Sequence, residues 1–283
     1  MITCRPIGTA DLSGIASLLR CGFPTRDIRY WCTGLQRLGT IQPAAGFVQF
    51  GYMLEAGGVP VGVLLVISSP SMHGTITRCN LSSWYVMPEF RAYAPLMVMR
   101  AIRNRSATYL NVSPAEQTIP IISAQGFIKF NSGVFAAPVS VASVGSGMHL
   151  AWLPRHWAQI PTIPPGAMQL LTDHHRFGCV CLWLQDETGG LPFIFRRRLV
   201  TWARIPSAQL IYCPTLEDLE RHAGCIGRFL ALHGMPFLMV ATDRPLRGVS
   251  GRLFPNRQPM YSRGPQPGRS SDLTYTEAAI FGF

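Results

Sequence analysis

The sequence predicts an α+β protein made of two mixed-sheet domains in tandem, each with a mostly antiparallel central sheet flanked by helices. Three observations support this fold class. Short apolar runs of strand length alternate with amphipathic helical segments. A Gly-Gly turn joins two apolar runs in each half. The order hairpin, strand, helix, strand also occurs in both halves, which indicates a diverged duplication.

Chain length gives the first bound on domain organisation. A chain of 283 residues is longer than one typical domain. A stretch rich in Ser, Gly and Pro over 140–166 is typical of a domain boundary. We therefore predict a first domain over residues 1–138, a linker over 139–165 and a second domain over 166–283.

The first half shows regular changes between strand and helix patterns. Asp11 ends a helix-start signal, and Leu12, Ile15, Leu18 and Leu19 then recur at helical spacing. In chain order, the pattern predicts a strand 2–7, a helix from 12, a helix 24–38, strands 47–55, 59–67 and 78–86, a helix 95–105, a strand 107–112, a helix 118–125 and an extended segment 127–137.

The second half repeats this succession of strands and helices. Its hairpin turn is predicted at Glu187-Thr188-Gly189-Gly190. In chain order, the pattern predicts a helix 167–174, strands 177–185, 191–203 and 208–213, a helix 216–232, a strand 236–241, an irregular stretch 243–272 and a final strand 273–281.

Composition places the chain among globular proteins. Apolar residues make up 48% and charged residues 14%, which is the opposite of the disorder signature. The longest apolar runs are far shorter than the roughly 20 residues of a membrane-spanning helix. The N-terminus lacks a basic region followed by an apolar one, so no signal peptide is expected. These features predict a cytoplasmic protein without a membrane partner.

The cysteines predict reduced thiols and no metal site. Eight cysteines are present and none forms a Cys-x-x-Cys pair. Cys179 and Cys181 share one face of a predicted strand, but no partner ligands lie nearby in the sequence. Buried cysteines of this kind behave as small hydrophobic residues in a reducing compartment.

The net charge of +11 limits the class of partner. The basic residues are spread over both halves, and Lys129 is the only lysine among them. A nucleic acid, an anionic membrane surface or a polyanionic small molecule would each match this charge. The sequence lacks a helix-turn-helix and lacks interleaved aromatic and basic residues, so a nucleic-acid partner is not expected.

One segment carries a family resemblance. The run 81–96 resembles the strand-to-helix acyl-CoA motif of the GNAT superfamily, and later segments resemble that family's next strand, helix and Gly-Phe end. The resemblance covers about residues 1–137. It implies a bacterial-type acyltransferase that uses acetyl-CoA or another acyl-CoA as co-substrate, with a small-molecule or carbohydrate-like acceptor. The matching positions are Val86, Pro88, Glu89, Phe90 and Arg91, then 109–112 and Gly126-Phe127.

The physical chemistry of such a turn suits coenzyme A. A chain that turns from a strand into a helix directs free N–H groups and a positive helix end at one point, where a pyrophosphate binds. Arg91 adds charge-assisted hydrogen bonds. By resemblance, the pantetheine arm pairs with the strand edge 84–86, where a backbone N–H polarises the thioester carbonyl. The predicted acyl-CoA residues are Trp84, Tyr85, Val86, Arg91, Ala92, Tyr93, Ala94, Pro95 and Leu96.

The motif also departs from the family pattern. Ala94 and Leu96 occupy the loop's glycine positions, and Leu96 adds bulk where the backbone would approach the phosphates. The tyrosine that many relatives carry four residues before Gly-Phe is Ile122 here. The catalytic residues are therefore not assigned, and Ser83, Tyr85 and Asn111 are the candidates. Other polar residues considered near the expected site are Ser82, Tyr93, Ser113 and, as a base, Glu55.

The second half is expected not to bind coenzyme A. Thr215 begins a helix whose first turn carries the carboxylates of Glu217, Asp218 and Glu220, which repel a pyrophosphate. The departures in the first half leave an alternative function open, a catalytically silent GNAT-like protein that binds an acyl-CoA or a metabolite and regulates a partner. The sequence leaves the oligomeric state undetermined.

Overall fold

The structure is a computed structural model, and it describes residues 1–70, 76–139, 149–153, 163–186, 189–200 and 204–282. The chain forms two compact units, each of which combines segments that are distant in sequence. The first unit contains residues 1–128, 261–268 and 275–281, and the second contains 129–260, 269–274 and the end of the chain from 282.

The first sheet has seven strands. Numbered along the chain, they are β1 (Ile2–Pro6), β2 (Gly51–Ala56), β3 (Val59–Pro70), β4 (Thr77–Val86), β5 (Thr108–Asn111), β6 (Ile128–Asn131) and β14 (Met260–Arg263). Their order in the sheet is β1-β2-β3-β4-β5-β14-β6. Among the pairs with a described register, β4–β5 is parallel and the others are antiparallel.

The second sheet repeats this topology. Its strands are β7 (Val134–Pro138), β8 (His149–Leu153), β9 (Val180–Asp186), β10 (Gly189–Val200), β11 (Ile205–Tyr212), β12 (Phe237–Ala241) and β13 (Arg252–Phe254). Their order is β13-β7-β12-β11-β10-β9-β8, and among the described strand pairs only β11–β12 is parallel. Read from β8, each position matches one in the first sheet. The predicted α+β class with two mostly antiparallel mixed sheets is confirmed.

The two halves of the chain exchange one strand. β7 comes from the first half and lies in the second sheet, between β12 and β13. β14 comes from the second half and lies beside β5 in the first sheet, at the corresponding position. The linear division into 1–138, 139–165 and 166–283 did not include this exchange and stays a prediction. Much of the predicted linker, 140–148 and 154–162, lies outside the described residues.

The helices of the first unit cover its sheet. They are α1 (Leu12–Gly22), α2 (Ile28–Gly39), α3 (Ala94–Ala101), α4 (Ile119–Ala124) and α8 (Glu277–Ile280). In α1, Ile15, Leu18 and Leu19 are buried, as their spacing predicts. α2 begins later than the predicted start at residue 24, because the Asp27 carboxylate accepts a hydrogen bond from the Tyr30 N–H at 2.7 Å and caps the helix there.

The second unit contains three described helices, α5 (Pro165–Arg176), α6 (Leu216–Arg221) and α7 (Ala223–Leu232). A single helix over 216–232 was predicted, and this is wrong. His222 has φ of −104° and ψ of 10°, so the helix is interrupted there and restarts. In the part of the chain that is described, no helix is both long enough and apolar enough to span a membrane.

The predicted linker and the C-terminal segment depart most from the sequence-based expectation. The predicted linker contains β8. The stretch 243–272 was predicted to be irregular but contains β13 and β14. The predicted final strand 273–281 is wrong, since residues 277–280 form α8. Leu273, Ala278, Ala279 and Ile280 are all fully buried. A short apolar run enclosed on every side has no exposed face, so its periodicity does not separate strand from helix.

The first predicted hairpin turn is confirmed. Gly57 and Gly58 have φ of 57° and 84°, the left-handed conformation that glycine adopts without strain. This turn joins β2 to β3 at the expected place. In the second predicted hairpin, β9 pairs with β10 as expected. Two of its turn residues, Glu187 and Thr188, lie outside the described residues.

Candidate functional site

The candidate site is the place where the parallel strands β4 and β5 separate, which we call the β4–β5 fork. Their ladder runs from the pair Arg78–Thr108 to the pair Asn80–Leu110. β4 then continues for six residues to Val86, whereas the end of β5 pairs with β14. The strand order places only β3 and β5 beside β4. The edge of β4 over 81–86 therefore presents backbone groups that are not part of the β4–β5 ladder.

A β-bulge lies in this free segment of β4. The register shifts between the pairs Leu65–Ser82 and Val63–Tyr85, so that Ser83 and Trp84 together oppose one residue of β3. Ser83 has φ of 50°, an uncommon conformation for a residue with a side chain. A bulge bends a strand and changes the direction of its side chains, and strained backbone of this kind is concentrated at functional sites.

The bulge directs Trp84 and Tyr85 into different surroundings. Trp84 is half-buried and packs against the core that contains α3. Its indole N–H is buried and has no hydrogen-bond partner among the described residues. The ring of Tyr85 lies against Gly22 of α1, where an added Cβ would be 2.3 Å from the ring. Its centroid is 6.4 Å from that of Phe23.

The turn after β4 differs from the predicted loop of free amides. Residues Pro88–Tyr93 form a 3-10 helix that runs directly into α3, and two positions, Pro88 and Pro95, have no N–H. Several of the remaining amides already donate hydrogen bonds within the chain. An anion at this turn would therefore depend on side chains more than an anion bound by a glycine-rich loop does. The bonds are Met87 N to Val61 O, Phe90 N to Met87 O and Ala94 N to Arg91 O.

The side chains of this turn are accessible. Leu96 is 47% exposed, so it does not close the turn. Ala94 is half-buried and packs against the core. Arg91, whose charge the acyl-CoA prediction requires, is exposed, as are Ala92, Tyr93 and Pro95. Their role in acyl-CoA binding stays a prediction.

The candidate catalytic residues lie at or near the fork. Ser83 and Tyr85 are on β4, where the Ser83 hydroxyl is 3.1 Å from that of Ser82. Asn111 ends β5, pairs with Tyr261 and is half-buried. Their catalytic roles stay predictions.

Glu55 has a different environment. It lies on β2, two strands from β4 in the sheet order. Its Oε2 accepts hydrogen bonds from the Arg5 guanidinium at 2.8 and 2.6 Å. Arg5 also binds the Asp11 carboxylate at 2.7 Å, and these bonds lower the pKa of Asp11 to about 2. Glu55 therefore belongs to an ion-pair group away from the fork, and the proposal that it is a base has no support in this geometry.

Glu277 also lies at the fork, although no sequence pattern pointed to it. Its side chain is buried, with the residue 2% exposed. One carboxylate oxygen, Oε1, accepts a hydrogen bond from the Ser113 hydroxyl at 2.5 Å, and Oε2 accepts one from the Asn80 side-chain amide. Asn80 is the last ladder residue of β4, and Ser113 follows β5 by two residues. One carboxyl group thus connects both arms of the fork.

Packing against α2 positions this carboxyl group. Arg37 donates to the Ile280 carbonyl at 2.9 Å, and the Phe281 ring centroid lies 5.8 Å from that of Trp31. The sequence did contain one signal for α8. Thr276 is extended and precedes Glu277 in the manner of a helix start, but the surrounding apolar run was interpreted as a strand.

Burial raises the pKa of the Glu277 carboxyl group. Desolvation is the largest influence, and hydrogen bonds from Ser113, its own backbone amide and Asn80 act in the opposite direction. A carboxyl group whose pKa is raised is a better proton acceptor near neutral pH than an ordinary surface glutamate.

The second unit contains an equivalent fork between β11 and β12, but the chain itself occupies it. The β11–β12 ladder ends at the pair Gln209–Met239, and β11 continues to Tyr212. The extra edge is paired with the segment 271–273. The contacts are Leu273 N to Ile211 O at 2.8 Å, Cys213 N to Ser271 O at 3.0 Å and a bridge between Tyr212 and Asp272. This edge is closed.

Comparison with solved structures relates this geometry to known folds, although no family model and no curated protein matches the sequence. A proposed acetyltransferase from Pyrococcus horikoshii has a TM-score of 0.57 at 12% identity, over 97% of this chain and 93% of that one. A GCN5-related N-acetyltransferase from Anabaena variabilis has a TM-score of 0.60 at 10% identity, over 93% and 72%. A glucosamine N-acetyltransferase region of a fungal multi-domain beta-N-acetylglucosaminidase has a TM-score of 0.58 at 11% identity, over 92% and 38%.

These likenesses extend over nearly the whole chain, including both sheets. The protein therefore has the fold of these GNAT structures, with two similar sheets in tandem, as the sequence resemblance implied. At 10–12% identity the comparison establishes the fold, and one fold can carry many different activities.

Proposed function

We propose that this chain is an acyl-CoA-dependent acyltransferase, which moves an acyl group from a CoA thioester to an amine or hydroxyl group of a small or carbohydrate-like acceptor. The observation that supports this most is the free edge of β4 beyond Asn80, in a protein with the GNAT fold. An extended ligand can bind such an edge as an added strand.

The fork residues suit the pantetheine arm and the thioester. The amides of 84–86 pair with the arm, and one of them polarises the thioester carbonyl as the carbonyl oxygen gains charge.

In this proposal, Arg91 binds the diphosphate group of coenzyme A. Because several amides of the turn are bonded within the chain, the exposed Arg91 guanidinium supplies the main charged contact. The substitution of the usual glycines by Ala94 and Leu96 is consistent with this shift from backbone to side-chain binding.

A carbohydrate-like acceptor is supported by the likeness in fold to the fungal glucosamine N-acetyltransferase region. Five of the eight cysteines are buried, as expected for thiols that behave as small hydrophobic residues in a reducing compartment such as the cytoplasm.

Binding of acetyl-CoA tests the proposed site. We expect acetyl-CoA to raise the melting temperature of the wild-type chain, because a ligand that binds only the folded state stabilises it. Arg91→Ala should abolish this shift. Arg228→Ala removes the same charge from an exposed position on α7 of the second unit and should leave the shift unchanged. An unchanged shift in Arg91→Ala would show that the diphosphate binds elsewhere.

Two further measurements separate the proposed enzyme from a silent binder. Release of free CoA thiol in the presence of glucosamine and other primary amines, followed with Ellman's reagent, indicates transfer. Binding without thiol release indicates the regulatory alternative. Calorimetric titration should give one acetyl-CoA per chain, since the second fork is closed by 271–273.

A further inference from the structure

The Glu277 carboxyl group is buried without a described charged partner. An ionised carboxylate is costly to bury unless other groups compensate its charge. The groups that set its pKa are the Ser113 hydroxyl, its own amide and the Asn80 side chain, and none of these carries a charge. Burying such a group lowers the stability of the fold. Carboxyl groups with shifted pKa values are concentrated at functional sites.

Ser113 connects this carboxyl group to the surface. Ser113 is exposed, whereas Glu277 is 2% exposed, and their side chains share a hydrogen bond of 2.5 Å. Short O–H···O⁻ bonds of this length are the strong, charge-assisted type. A proton that reaches the Ser113 oxygen therefore has a direct path to the buried carboxylate.

Asn80 provides an independent observation at the same place. It is 2% exposed, its amide nitrogen donates to Glu277, and its Oδ1 has no partner among the described residues. A buried acceptor without a donor requires an explanation. This one lies where the β4–β5 ladder ends, so the polar cluster and the free strand edge are adjacent.

We propose that Ser113 and Glu277 form the proton relay of the transfer reaction, in which the Ser113 hydroxyl contacts the acceptor and the Glu277 carboxylate takes up the proton. Asn80 holds the carboxylate in place. This inference depends on the proposed transferase function and adds to it the route by which the acceptor loses its proton.

The acceptor nitrogen loses one proton during the transfer. The acceptor nitrogen forms a bond to the thioester carbonyl carbon, and the bond from that carbon to sulfur breaks. The nitrogen gives its proton to the Ser113 oxygen while the Ser113 proton passes to Glu277. The CoA thiolate takes a proton from solvent, and Glu277 later returns its proton to solvent. The products are an amide and free CoA thiol.

Three arginines are the charged groups on α2 and β4, the elements that contact α8. Arg29 and Arg37 lie on α2, where Arg37 donates to the Ile280 carbonyl, and Arg78 lies two residues before Asn80 on the same face of β4. None of the three is among the groups that shift the pKa of Glu277, which burial raises. The carboxyl group therefore takes up a proton at a higher pH than a solvated glutamate.

Kinetics with acetyl-CoA and glucosamine, or the best primary amine found, test the relay. Glu277→Gln and Ser113→Ala should each lower kcat about 100-fold, the size of a lost general base. The KM for acetyl-CoA should stay within about twofold, because neither residue binds it. Ser113→Thr keeps a hydroxyl group and should recover most of the activity. The low-pH limb of the kcat/KM profile should disappear in Glu277→Gln.

The controls separate a relay from a structural role. Glu116→Gln removes an exposed carboxylate three residues from Ser113 and should be as active as wild type. Burial raises the pKa of Glu277, so wild-type stability decreases as pH rises through that pKa, and Glu277→Gln lacks this loss. Glu277→Gln should therefore unfold at or above the wild-type temperature at neutral pH.

The outcomes are distinguishable. Turnover by Glu277→Gln at the wild-type rate, with an unchanged pH profile, overturns the relay and leaves the transferase intact. Equal loss of activity in Ser113→Thr and Ser113→Ala overturns the role of the hydroxyl group. A wild-type chain that binds acetyl-CoA but releases no thiol with any amine overturns the transferase and the relay together.

Discussion

The two forks of this molecule have the same topology and different contents. In the first, β4 continues six residues past its ladder with β5, and a carboxyl group from α8 connects both arms. In the second, β11 also continues past its ladder with β12, but residues 271–273 pair with the extra edge. Among the described residues, no strand pairs with this edge of β4 beyond Asn80, whereas the equivalent edge of β11 forms backbone hydrogen bonds with 271–273.

The helices that follow the forks show the same contrast. α3 follows β4 through a 3-10 turn with an exposed Arg91 and no side-chain cap. α6 follows β11 and has a Thr215 cap with two carboxylates, Glu217 and Asp218, in its first turn. The acidic turn stabilises its own helix and repels an anion. Of two sheets with the same topology, one thus has an unpaired strand edge beside an exposed arginine, and the other has a paired edge beside an acidic helix start.

The strongest test of this contrast removes the side chain that anchors the second fork. Leu273 is fully buried. Leu273→Ala should lower the free energy of unfolding by about 2–5 kcal/mol, because a buried leucine loses its contacts and leaves a cavity. Urea unfolding measures the loss.

Leu232→Ala is the matched control, since Leu232 is 77% exposed. A loss for Leu273→Ala no larger than the control's would mean that 271–273 does not hold the second fork closed.

A smaller effect is expected where α1 supports the free segment of β4. Gly22→Ala would place a Cβ 2.3 Å from the Tyr85 ring. The ring has to move, so we expect a loss of about 1–3 kcal/mol in the free energy of unfolding, measured by urea or thermal denaturation.

Gly166→Ala tests the same substitution where no heavy atom lies within 4 Å of the added Cβ. This control should be neutral or slightly stabilising in α5. Equal effects of the two substitutions would argue against tight packing of Tyr85 on α1.

The smallest expected effect concerns the acidic turn of the second unit. The Thr215 hydroxyl oxygen accepts a hydrogen bond from the Asp218 N–H at 3.0 Å. Thr215→Ala should lower the free energy of unfolding by about 1 kcal/mol through loss of this cap. Thr25→Ala, at an exposed position before α2, is the control and should change little. Thermal unfolding of both variants decides whether α6 depends on its cap.

Much of the fold was predictable because local chemistry determines it. The pattern of apolar residues predicted the succession of strands along the first half. Gly57 and Gly58 marked the first hairpin, and the helical spacing in α1 identified its buried face. The resemblance of 81–96 to an acyl-CoA motif also located the segment that contains the free edge of β4. Each of these features depends on residues close together in the chain.

The site was predictable only in part. Trp84, Tyr85 and Arg91 lie on the expected strand and turn, but the bulge at Ser83 and the 3-10 helix after Val86 have no simple sequence pattern. Glu277 was missed because it reaches the fork from more than 150 residues away in sequence, as its contacts with Ser113 and Asn80 show. Local sequence periodicity does not predict a contact between residues so far apart.

The sequence by itself determined the fold class, the order of most elements and the region where a ligand edge was expected, since these follow from local propensity and from which face of each element is apolar. Only the tertiary structure decided the exchange of β7 and β14, the closure of the second fork by 271–273 and the position of Glu277. The physical reason is that strands pair through backbone N–H and C=O groups, which are nearly the same in every residue. The choice of a distant partner therefore depends on the packing of the whole chain.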